Sequence, residues 1–526
     1  MIQIQMSCSM VIRTLWVALP YILFGILSSR SDMLFIDSSQ MHWEYYVGVI
    51  RSVRSGGWLL FDTPSQYGFL PILLAVLLPV KSSWNAFFFL HAASLLAASI
   101  LFYQGAIIFC RLPRILAAAL VIATVFFSYP GLISPTAYPS SGPMRFLWCY
   151  VLLFFSGLIF TGENRSPFRF AKIGAFLWIA GVFWSAESAV YCTAIYFSPI
   201  GLTFLSIFFS QPSSYLEGRN KFGAILGLLG PAILCVSVAG IGISAFYICS
   251  LGVWPDWSMH FAYAFAYASG FGGLDIPFNG PIWLIVLLLL VGFIAISLNI
   301  KNGTKDSGGA MLAVSATACI WSISSYYLGR SVPNNIVAIY PVLSFALLLL
   351  LRSWPKEANS SILIAISTPF FFLALLSPLA NQGLADHLAG MQVLSLSIGE
   401  KTAAADSELT GIMNEAQLST ESPVTYYGHD AAMPRSAKKS NGENFEKAWL
   451  PNPLQLLEEP IPEQKQREII TRWSSRRTEG GYLVQKKGQA EDRFARWLQL
   501  LNEDYILVNT WESPNYRIFL FSRKKT

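Results

Sequence analysis

Charged side chains are scarce in this sequence. Only 13% of the 526 residues are Asp, Glu, Lys or Arg, and 54% are hydrophobic, whereas soluble globular proteins average about 25% charged residues. This composition excludes an ordinary soluble protein. The net charge of +6 does not indicate a nucleic-acid-binding protein, because much of it comes from short loops between apolar runs, where Lys and Arg set the orientation of a membrane protein.

Several familiar motifs are also missing. The seven cysteines form no CxxC pair and lie in or beside apolar segments, which indicates small apolar residues rather than disulfides or metal ligands. There is no Walker motif, no GxGxxG turn between a strand and a helix, and no HExxH. No internal repeat is visible. No A-x-A-like cleavage site follows the first apolar run, which favours an uncleaved first span.

Long apolar runs recur through the first 380 residues. Runs of this length cross a bilayer as helices, so we predict a polytopic, all-α membrane domain over residues 1–380. The stretch 69–80 is too short to cross and contains Pro71 and Pro79, which indicates a re-entrant or interfacial piece. The predicted spans, about eleven in all, lie near 11–28, 84–110, 113–129, 146–162, 172–187, 189–209, 222–248, 281–299, 310–328, 336–352 and 360–378.

The basic residues predict the orientation of these spans. One alternating set of loops carries most of the Lys and Arg of the membrane domain, among them Arg111, Arg169 and Lys221, and by the positive-inside rule this set is cytoplasmic. The N-terminus is then cytoplasmic, and everything after residue 379 is extracytoplasmic. Chemistry is expected on the outer side, because the acids fall there: Asp32, Asp37, Glu44, Asp62, Glu187, Asp256 and Asp275.

Residues 381–526 differ in composition from the membrane domain. Long apolar runs stop and charge rises. Local patterns predict strands at 424–428, 481–486, 505–510 and 516–522, and helices at 464–478 and 490–504. We therefore predict a small extracytoplasmic α/β domain with its core at about 422–526.

The first outer loop, residues 30–68, is the candidate catalytic loop because it gathers acids between two apolar runs. Residues 39–57 have apolar side chains at helical spacing, which predicts an amphipathic helix lying along the membrane surface. Asp37 lies just before this helix, and His42 and Glu44 lie inside it. A helix cap alone would explain Asp37, but not the further acid and histidine beside it.

The turn that ends this loop, from Asp62 to Gly68, has two interpretations. Pro64 and Gly68 favour a tight turn that simply connects to the short apolar piece. Alternatively, Asp62, Gln66 and Tyr67 line a pocket for a sugar or a phosphate. The spacing favours neither interpretation over the other.

Three charged residues lie at the predicted outer ends of spans. Arg145 can extend to lipid headgroups or bind a lipid phosphate with its planar fork. Glu187 is only a loop acid if the break between the two spans lies elsewhere. If it lies at bilayer depth, where a carboxylate costs about 2.5–3.5 kcal/mol, a functional role is favoured. Arg330 has the right charge for a phosphate, and the neighbouring Asn334 and Asn335 either cap the next span or bind substrate.

The order and sidedness of these segments resemble the GT-C superfamily of membrane glycosyltransferases, which includes the protein mannosyltransferases and the aminoarabinose lipid A transferases. The resemblance covers roughly residues 10–380, and it is greatest to bacterial members in which an acid- and His-bearing loop runs into a Gln-Tyr-Gly turn. The segments that carry it are Asp37, His42, Tyr45 and Gln66-Tyr67-Gly68, then Trp184-Ser185-Ala186-Glu187, and Arg330-Ser331-Val332-Pro333-Asn334-Asn335.

This resemblance implies an enzyme of the bacterial inner membrane that takes a sugar from a polyprenyl-phosphate donor and transfers it, on the outer side, to a glycan, lipid or protein acceptor. No nucleic-acid partner is implied, no definite cofactor is implied, and binding of a divalent metal ion is left open. In the family an acid of the first outer loop acts in catalysis, and Asp37 matches its position best.

The catalytic assignment stays open among Asp37, Glu44 and Asp62, because Ser38-Ser39 stands where a second acid often follows the first in the family. The remaining polar residues of these segments are expected to bind substrate: His42, Gln66, Tyr67, Arg145, Glu187, Arg330, Asn334 and Asn335.

Two other functions remain open. A transporter or flippase of a lipid-linked glycan would place polar residues in broken helices at mid-membrane and would often contain repeats, whereas here the polar residues lie near the predicted outer boundary. A non-catalytic membrane scaffold would have no reason to bring the acids and arginines to one cavity. The positions of Asp37, Glu187 and Arg330 therefore discriminate among the three functions.

Overall fold

The structure is a computed structural model that describes residues 37–121, 124, 142–163, 165–209, 221–270, 273–278, 280–301, 307–331, 333–355, 408–419, 421–427, 446–452, 461–477, 479–488 and 491–524. The helices of its larger part are α1 Asp37–Arg54, α2 Leu70–Leu77, α3 Ser83–Ile108, α4 Arg114–Val121, α5 Pro143–Thr161, α6 Pro167–Trp184, α7 Ala186–Phe209, α8 Lys221–Leu251, α9 Ser258–Ala268, α10 Ile282–Lys301, α11 Ser307–Gly329 and α12 Pro333–Ser353. The C-terminal elements are β1 Val424–Tyr427, α13 Glu463–Ser475, β2 Gly481–Lys486, α14 Glu491–Asp504, β3 Tyr505–Glu512 and β4 Tyr516–Arg523.

Among the described residues, six helices are long and apolar enough to cross a membrane: α3, α5 from Met144, α7, α8, α10 and α11 from Gly308. They coincide with six predicted spans, and α6 and α12 coincide with two more. The predicted class, a polytopic helical membrane protein with a small α/β domain, is thereby confirmed. The predicted spans at 11–28 and 360–378 and most of 113–129 lie outside the described residues, so the count of eleven stays a prediction.

The spans begin where local chemistry favours a helix start. Pro167 is the first residue of α6, and the Ser166 hydroxyl before it accepts a hydrogen bond from the Arg169 amide at 3.3 Å. Pro143 likewise begins α5 after Gly142. Proline at the first helical position loses no hydrogen bond and already has a helical φ. The start of α5 matters for function because Arg145 lies in its first turn.

Helix α1 was predicted and is present, and the C-terminal domain covers its polar face. Its position along the membrane surface stays a prediction. Every side chain from Glu44 to Ser52 is buried. The aromatic face packs on the spans, while the polar face lies under the C-terminal domain, where Asn452 Nδ2 donates to the Glu44 carbonyl at 2.9 Å. The following short apolar piece forms α2, which with eight residues is too short to cross a bilayer, as expected.

The C-terminal domain contains a four-stranded sheet in the order β1-β2-β4-β3. Strands β1 and β2 pair in parallel with Val424 opposite Tyr482, and β4 pairs antiparallel with both β2 and β3. Because side chains alternate along a strand, the sheet has two apolar faces. One packs on α13 and α14, and the other packs on a helical segment at 408–415. All four predicted strands and both predicted helices are present.

The C-terminal domain docks on the membrane domain through an apolar cluster. Met259 and Tyr263 of α9 are buried in the same cluster as Trp449 and Trp473. The domain therefore lies on the same side as the first outer loop and the loop before α9. The predicted boundary at residues 380–381 lies outside the described residues.

Candidate functional site

A buried ion pair joins two spans near one end of the bundle. Arg145 lies in the first turn of α5, and its Nε is 2.6 Å from Oε2 of Glu187, which lies in the first turn of α7. The guanidinium carbon also lies 4.7 Å from the ring centroid of Tyr326 and 5.1 Å from that of Tyr67. Cation–π contacts stabilise a cation that has lost its water. The pair therefore fixes a charged group among tyrosine rings.

Gly68 determines this arrangement. Its φ is +101°, and a Cβ at this position would lie 1.7 Å from the Trp184 carbonyl oxygen, so only glycine fits. The Trp184 indole N–H in turn donates to the carbonyl oxygen of Met144 at 2.6 Å. The Gln-Tyr-Gly turn, the break between α6 and α7, and the start of α5 are thus held together beside Arg145.

Aromatic stacking brings α1 to the same place. Tyr46 of α1 stacks on Tyr67, with ring centroids 4.6 Å apart and planes at 12°, and on Phe87 of α3, with centroids 4.3 Å apart. His42 precedes Tyr46 by four residues, so both side chains project from one face of the helix. His42 therefore faces the same region as Tyr67 and Arg145.

The electrostatics of His42 show which cations surround it. The pKa of His42 is lowered to about 4, first by burial and then by the charges of Arg145 and Arg330. A histidine with this pKa is neutral at physiological pH. Arg330 itself is exposed, and its carbonyl accepts a hydrogen bond from Asn335 Nδ2 at 2.8 Å. We call the group formed by His42, Tyr67, Arg145, Glu187 and Arg330 the Arg145 site.

Asp37 is the first residue of α1, and its side chain lies outside the part of the chain that the structure describes. His42 follows five positions later, a rise of about 7.5 Å along the helix axis. The start of α1 therefore lies about one and a half helical turns from His42. The catalytic role of Asp37 stays a prediction.

Glu44 lies apart from the Arg145 site. Its carboxylate forms an ion pair with Arg51 of the same helix, and both side chains are buried. The charges that act on Glu44 are those of Arg51 and Glu446, and Asn452 bonds its backbone. The structure thus places Glu44 on the face of α1 that the C-terminal domain covers.

Asp62 also lies apart, in a closed turn. Its Oδ1 accepts from the Trp58 amide at 2.7 Å and from the Thr63 hydroxyl at 3.1 Å, and its Oδ2 pairs with Arg476 Nη1 of the C-terminal domain at 2.6 Å. Burial raises the pKa of the Asp62 carboxyl, although the Trp58 amide and Arg476 oppose the shift. A raised pKa is typical of a general base, but these contacts favour a structural role.

Two further predicted residues are Gln66 and Asn334. Gln66 is buried directly beside Tyr67, and the side chain of Asn334 lies outside the described residues. Within the described ranges, no group of three or more His, Cys, Asp or Glu side chains could hold a metal ion.

Some residues of this region were not predicted. Tyr326, near the end of α11, lies under Arg145 without any motif to mark it. Asp256 was expected only to lie on the outer side, but its carboxylate pairs with Lys465 and with Arg472 of α13. The signal for these contacts is the series of basic residues in α13, which sequence alone reads as a solvated helix face.

Comparison with known proteins gives no family. No protein-family model matches the chain, and no curated protein sequence matches it. Among solved structures, the chain is similar to the crystal structure of ArnT from Cupriavidus metallidurans in the apo state, with 12% identity over 98% of each chain and a TM-score of 0.32. A TM-score of this size does not establish a common fold, so the architecture rests on the helices and the sheet described above.

Proposed function

We propose that this protein is a membrane glycosyltransferase of the GT-C type. It moves a sugar from a polyprenyl-phosphate donor to a glycan, lipid or protein acceptor on the outer side of the membrane. The observation that supports this function best is the convergence of His42, Tyr67, Arg145, Glu187 and Arg330, which come from distant segments of the chain, around one buried cation.

The two arginines suit the leaving phosphate. Arg330 is exposed and is available to a phosphate arriving from solvent or the bilayer surface, whereas Arg145 is buried and already oriented by Glu187. When the bond between the sugar C1 and the phosphate oxygen breaks, the electron pair stays on the phosphate. Fixed cations near that oxygen offset the developing charge and lower the barrier.

Asp37 is the proposed general base. It takes the proton of the acceptor hydroxyl while the hydroxyl oxygen attacks the sugar C1. Neutral His42 can accept or donate a hydrogen bond to a sugar hydroxyl without carrying a charge of its own.

An apolar cleft of about 510 Å³ supplies a place for the prenyl chain. It lies between the end of α1, helix α2 and helix α8, and its wall includes Phe69, the residue after Gly68. The cleft therefore opens next to the turn that carries Tyr67. Its lining is almost entirely apolar: Val53, Trp58, Leu59, Phe69, Leu73, Ile243, Phe246 and Tyr247, with Gly56, Gly57 and Gly242.

The test is transfer by the purified full chain in lipid vesicles. Polyprenyl-phosphate hexoses and pentoses are supplied together with glycan, lipid and peptide acceptors, and both the release of polyprenyl phosphate and the glycosylated acceptor are measured. Asp37→Asn should lower the rate at least about 100-fold, because a general base contributes this much or more. Asp492→Asn is the matched control, since Asp492 is an exposed acid of α14 in the C-terminal domain.

Two results would count against the proposal. Normal transfer by Asp37→Asn would remove the role of Asp37 and move the base elsewhere. Absence of transfer with every donor, together with movement of a labelled polyprenyl-phosphate sugar between leaflets, would favour the flippase instead.

A further inference from the structure

Arginines at the C-terminal end of helix α13 bind backbone carbonyls of the first outer loop. Arg476 Nη2 donates to the Gly56 carbonyl at 2.9 Å, and Arg472 Nη1 donates to the Phe61 carbonyl at 2.9 Å. At the residue after Phe61, Arg476 Nη1 pairs with the buried Asp62 carboxylate at 2.6 Å. We call residues 55–63, which these contacts enclose, the latched turn.

A further contact joins the latched turn to the loop before α9. The Asp256 amide donates to the Leu60 carbonyl at 2.7 Å. The Asp256 carboxylate accepts from Lys465 and, at 3.3 Å, from Arg472. Three separate parts of the chain therefore meet here: the first outer loop, the loop before α9, and α13.

Both ends of the latched turn lead into the Arg145 site. On its N-terminal side the chain runs directly into α1, which carries His42. On its C-terminal side the chain runs within four residues to Tyr67, whose ring lies under Arg145. A displacement of this turn would therefore move both α1, which carries His42, and Tyr67 relative to Arg145.

The ion pair between Asp62 and Arg476 is better suited to fixing the position of the latched turn than to raising the stability of the whole protein. Asp62 is 1% exposed, and a buried ion pair often adds little net stability over apolar packing, because both ions lose their water. Such a pair does, however, specify one register, since a misplaced partner leaves a charge buried and unpaired. Arg476 also lies over the Phe61 ring, 5.8 Å from its centroid, which further restricts its orientation.

We propose that Arg476 is a positioning residue for the transfer reaction: by pairing with Asp62 and the Gly56 carbonyl, it sets the latched turn so that α1 and Tyr67 are aligned with Arg145. Asp62 then belongs to the latch and not to the chemistry. This inference rests on the proposed function, but it also predicts a coupling between the latch and the site that can be measured without any substrate.

The first experiment compares Arg476→Met and a matched control variant with the wild-type chain in the transfer assay. Arg476→Met removes the charge and both bonds but keeps the length of the side chain. Arg467→Met is the matched control, because Arg467 lies on the same helix and pairs with Glu503 within the domain, with both side chains half-exposed. We expect Arg476→Met to lower kcat between about 10- and 100-fold, the loss that a small misalignment causes, with little change in donor KM.

The same assay contains a rescue. Arg476→Lys keeps the charge beside Asp62 and should recover part of kcat. The Ser55 hydroxyl accepts from the Ala448 amide at 2.8 Å, which makes 55 and 448 neighbouring positions at which to introduce a disulfide, and its formation is checked by mass spectrometry before any rate is measured. In the Arg476→Met background, the oxidised Ser55→Cys/Ala448→Cys pair should return most of kcat, and reduction should remove it again.

The second experiment needs no activity. Hydrogen exchange is measured at the amides of the latched turn, of residues 66–68 and of α1. We expect Arg476→Met to speed exchange in all three segments and Arg467→Met in none. Faster exchange in the latched turn alone would overturn the coupling, whatever the enzyme does.

The outcomes of the transfer assay separate the two proposals. Normal kcat in Arg476→Met overturns the positioning role. Loss of activity in Asp62→Asn but not in Arg476→Met also overturns it and returns Asp62 to the chemistry. If the wild-type chain transfers no sugar while the exchange results hold, the coupling stands and the proposed function fails.

Discussion

Two acid–arginine pairs in this protein have the same separation but different surroundings. Arg145 and Glu187 lie 2.6 Å apart, and so do Asp62 and Arg476. The Asp62 side chain is 1% exposed and also accepts from the Trp58 amide and the Thr63 hydroxyl. The Glu187 side chain is 21% exposed, and the arginine that it binds lies over tyrosine rings.

This difference separates a structural pair from a candidate functional one. Both carboxylate oxygens of Asp62 already have partners within the protein, namely the Trp58 amide, the Thr63 hydroxyl and Arg476. The Asp62 carboxylate therefore holds the backbone of this turn in place. Glu187 remains accessible at one side, so a ligand can approach it without breaking any backbone contact. The distance between acid and arginine therefore does not distinguish a structural ion pair from a functional one, whereas the groups around each pair do.

The largest expected effect is that of Arg145→Met, in activity and in stability. Transfer should fall at least about 100-fold, because the buried cation of the site is lost. Stability should fall by about 3–5 kcal/mol, because Glu187 is left without its partner. Thermal unfolding and transfer are measured on the same samples.

A double variant, Arg145→Met/Glu187→Met, separates these two effects. Removing both charges should restore most of the stability, since no unpaired ion remains, but it should not restore transfer. Recovery of transfer in the double variant would show that the Arg145 pair is as structural as the Asp62 pair.

Gly68→Ala tests the contact on which the Arg145 pair depends. A Cβ at this φ of +101° would collide with the Trp184 carbonyl, so we expect a loss of at least about 3 kcal/mol in the free energy of unfolding. The control is Gly201→Ala in α7, where no atom lies within 4 Å of the new Cβ. There the change should be neutral or slightly stabilising, and equal effects at both positions would contradict the packing argument.

Arg330→Ala should affect binding without affecting the fold. The side chain is exposed, so unfolding should change by less than about 0.5 kcal/mol. The KM for the donor should rise about tenfold, the value of one charge-assisted contact. Arg352→Ala, near the other end of α12 and also exposed, serves as the control, and a similar rise in KM there would indicate a general charge effect.

The smallest expected effect concerns His42 and pH. Its pKa in the folded protein is about 4, below the ordinary value of 6.5. The unfolded chain therefore binds more protons between these two pH values, and stability contributed by neutral His42 falls as the pH is lowered through this interval. His42→Gln should lose less stability than the wild type between pH 6.5 and 4 in thermal unfolding, and parallel curves for the two proteins would show that His42 is not buried beside the arginines.

Much of the fold could be predicted because the signals are local. Apolar runs mark the spans, and alternation marks β1 to β4 within a few residues. In the site, Arg145, Glu187, Tyr67 and Arg330 were predicted as separate candidates, and the structure brings them together with His42. The signal was the placement of polar residues at span ends, where polar groups are costly.

The contacts that could not be predicted join residues far apart in the sequence. Asp62 looked like a candidate acid because its partner, Arg476, is 414 residues away, and no spacing rule connects them. The polar face of α1 looked solvated for the same reason, since Asn452 covers Glu44 from 408 residues away. A basic face such as that of α13 gives no sign of whether water or another domain will meet it.

The latched turn also has a consequence for how the protein is made. The first outer loop emerges early in synthesis, and Arg476 follows 414 residues later. At about 5–20 residues per second, the loop waits roughly 20–80 s for the helix that covers it. During that interval the partners that Asp62 and the polar face of α1 have in the C-terminal domain have not yet been synthesised. These groups are therefore left to water or to other proteins until the C-terminal domain is complete.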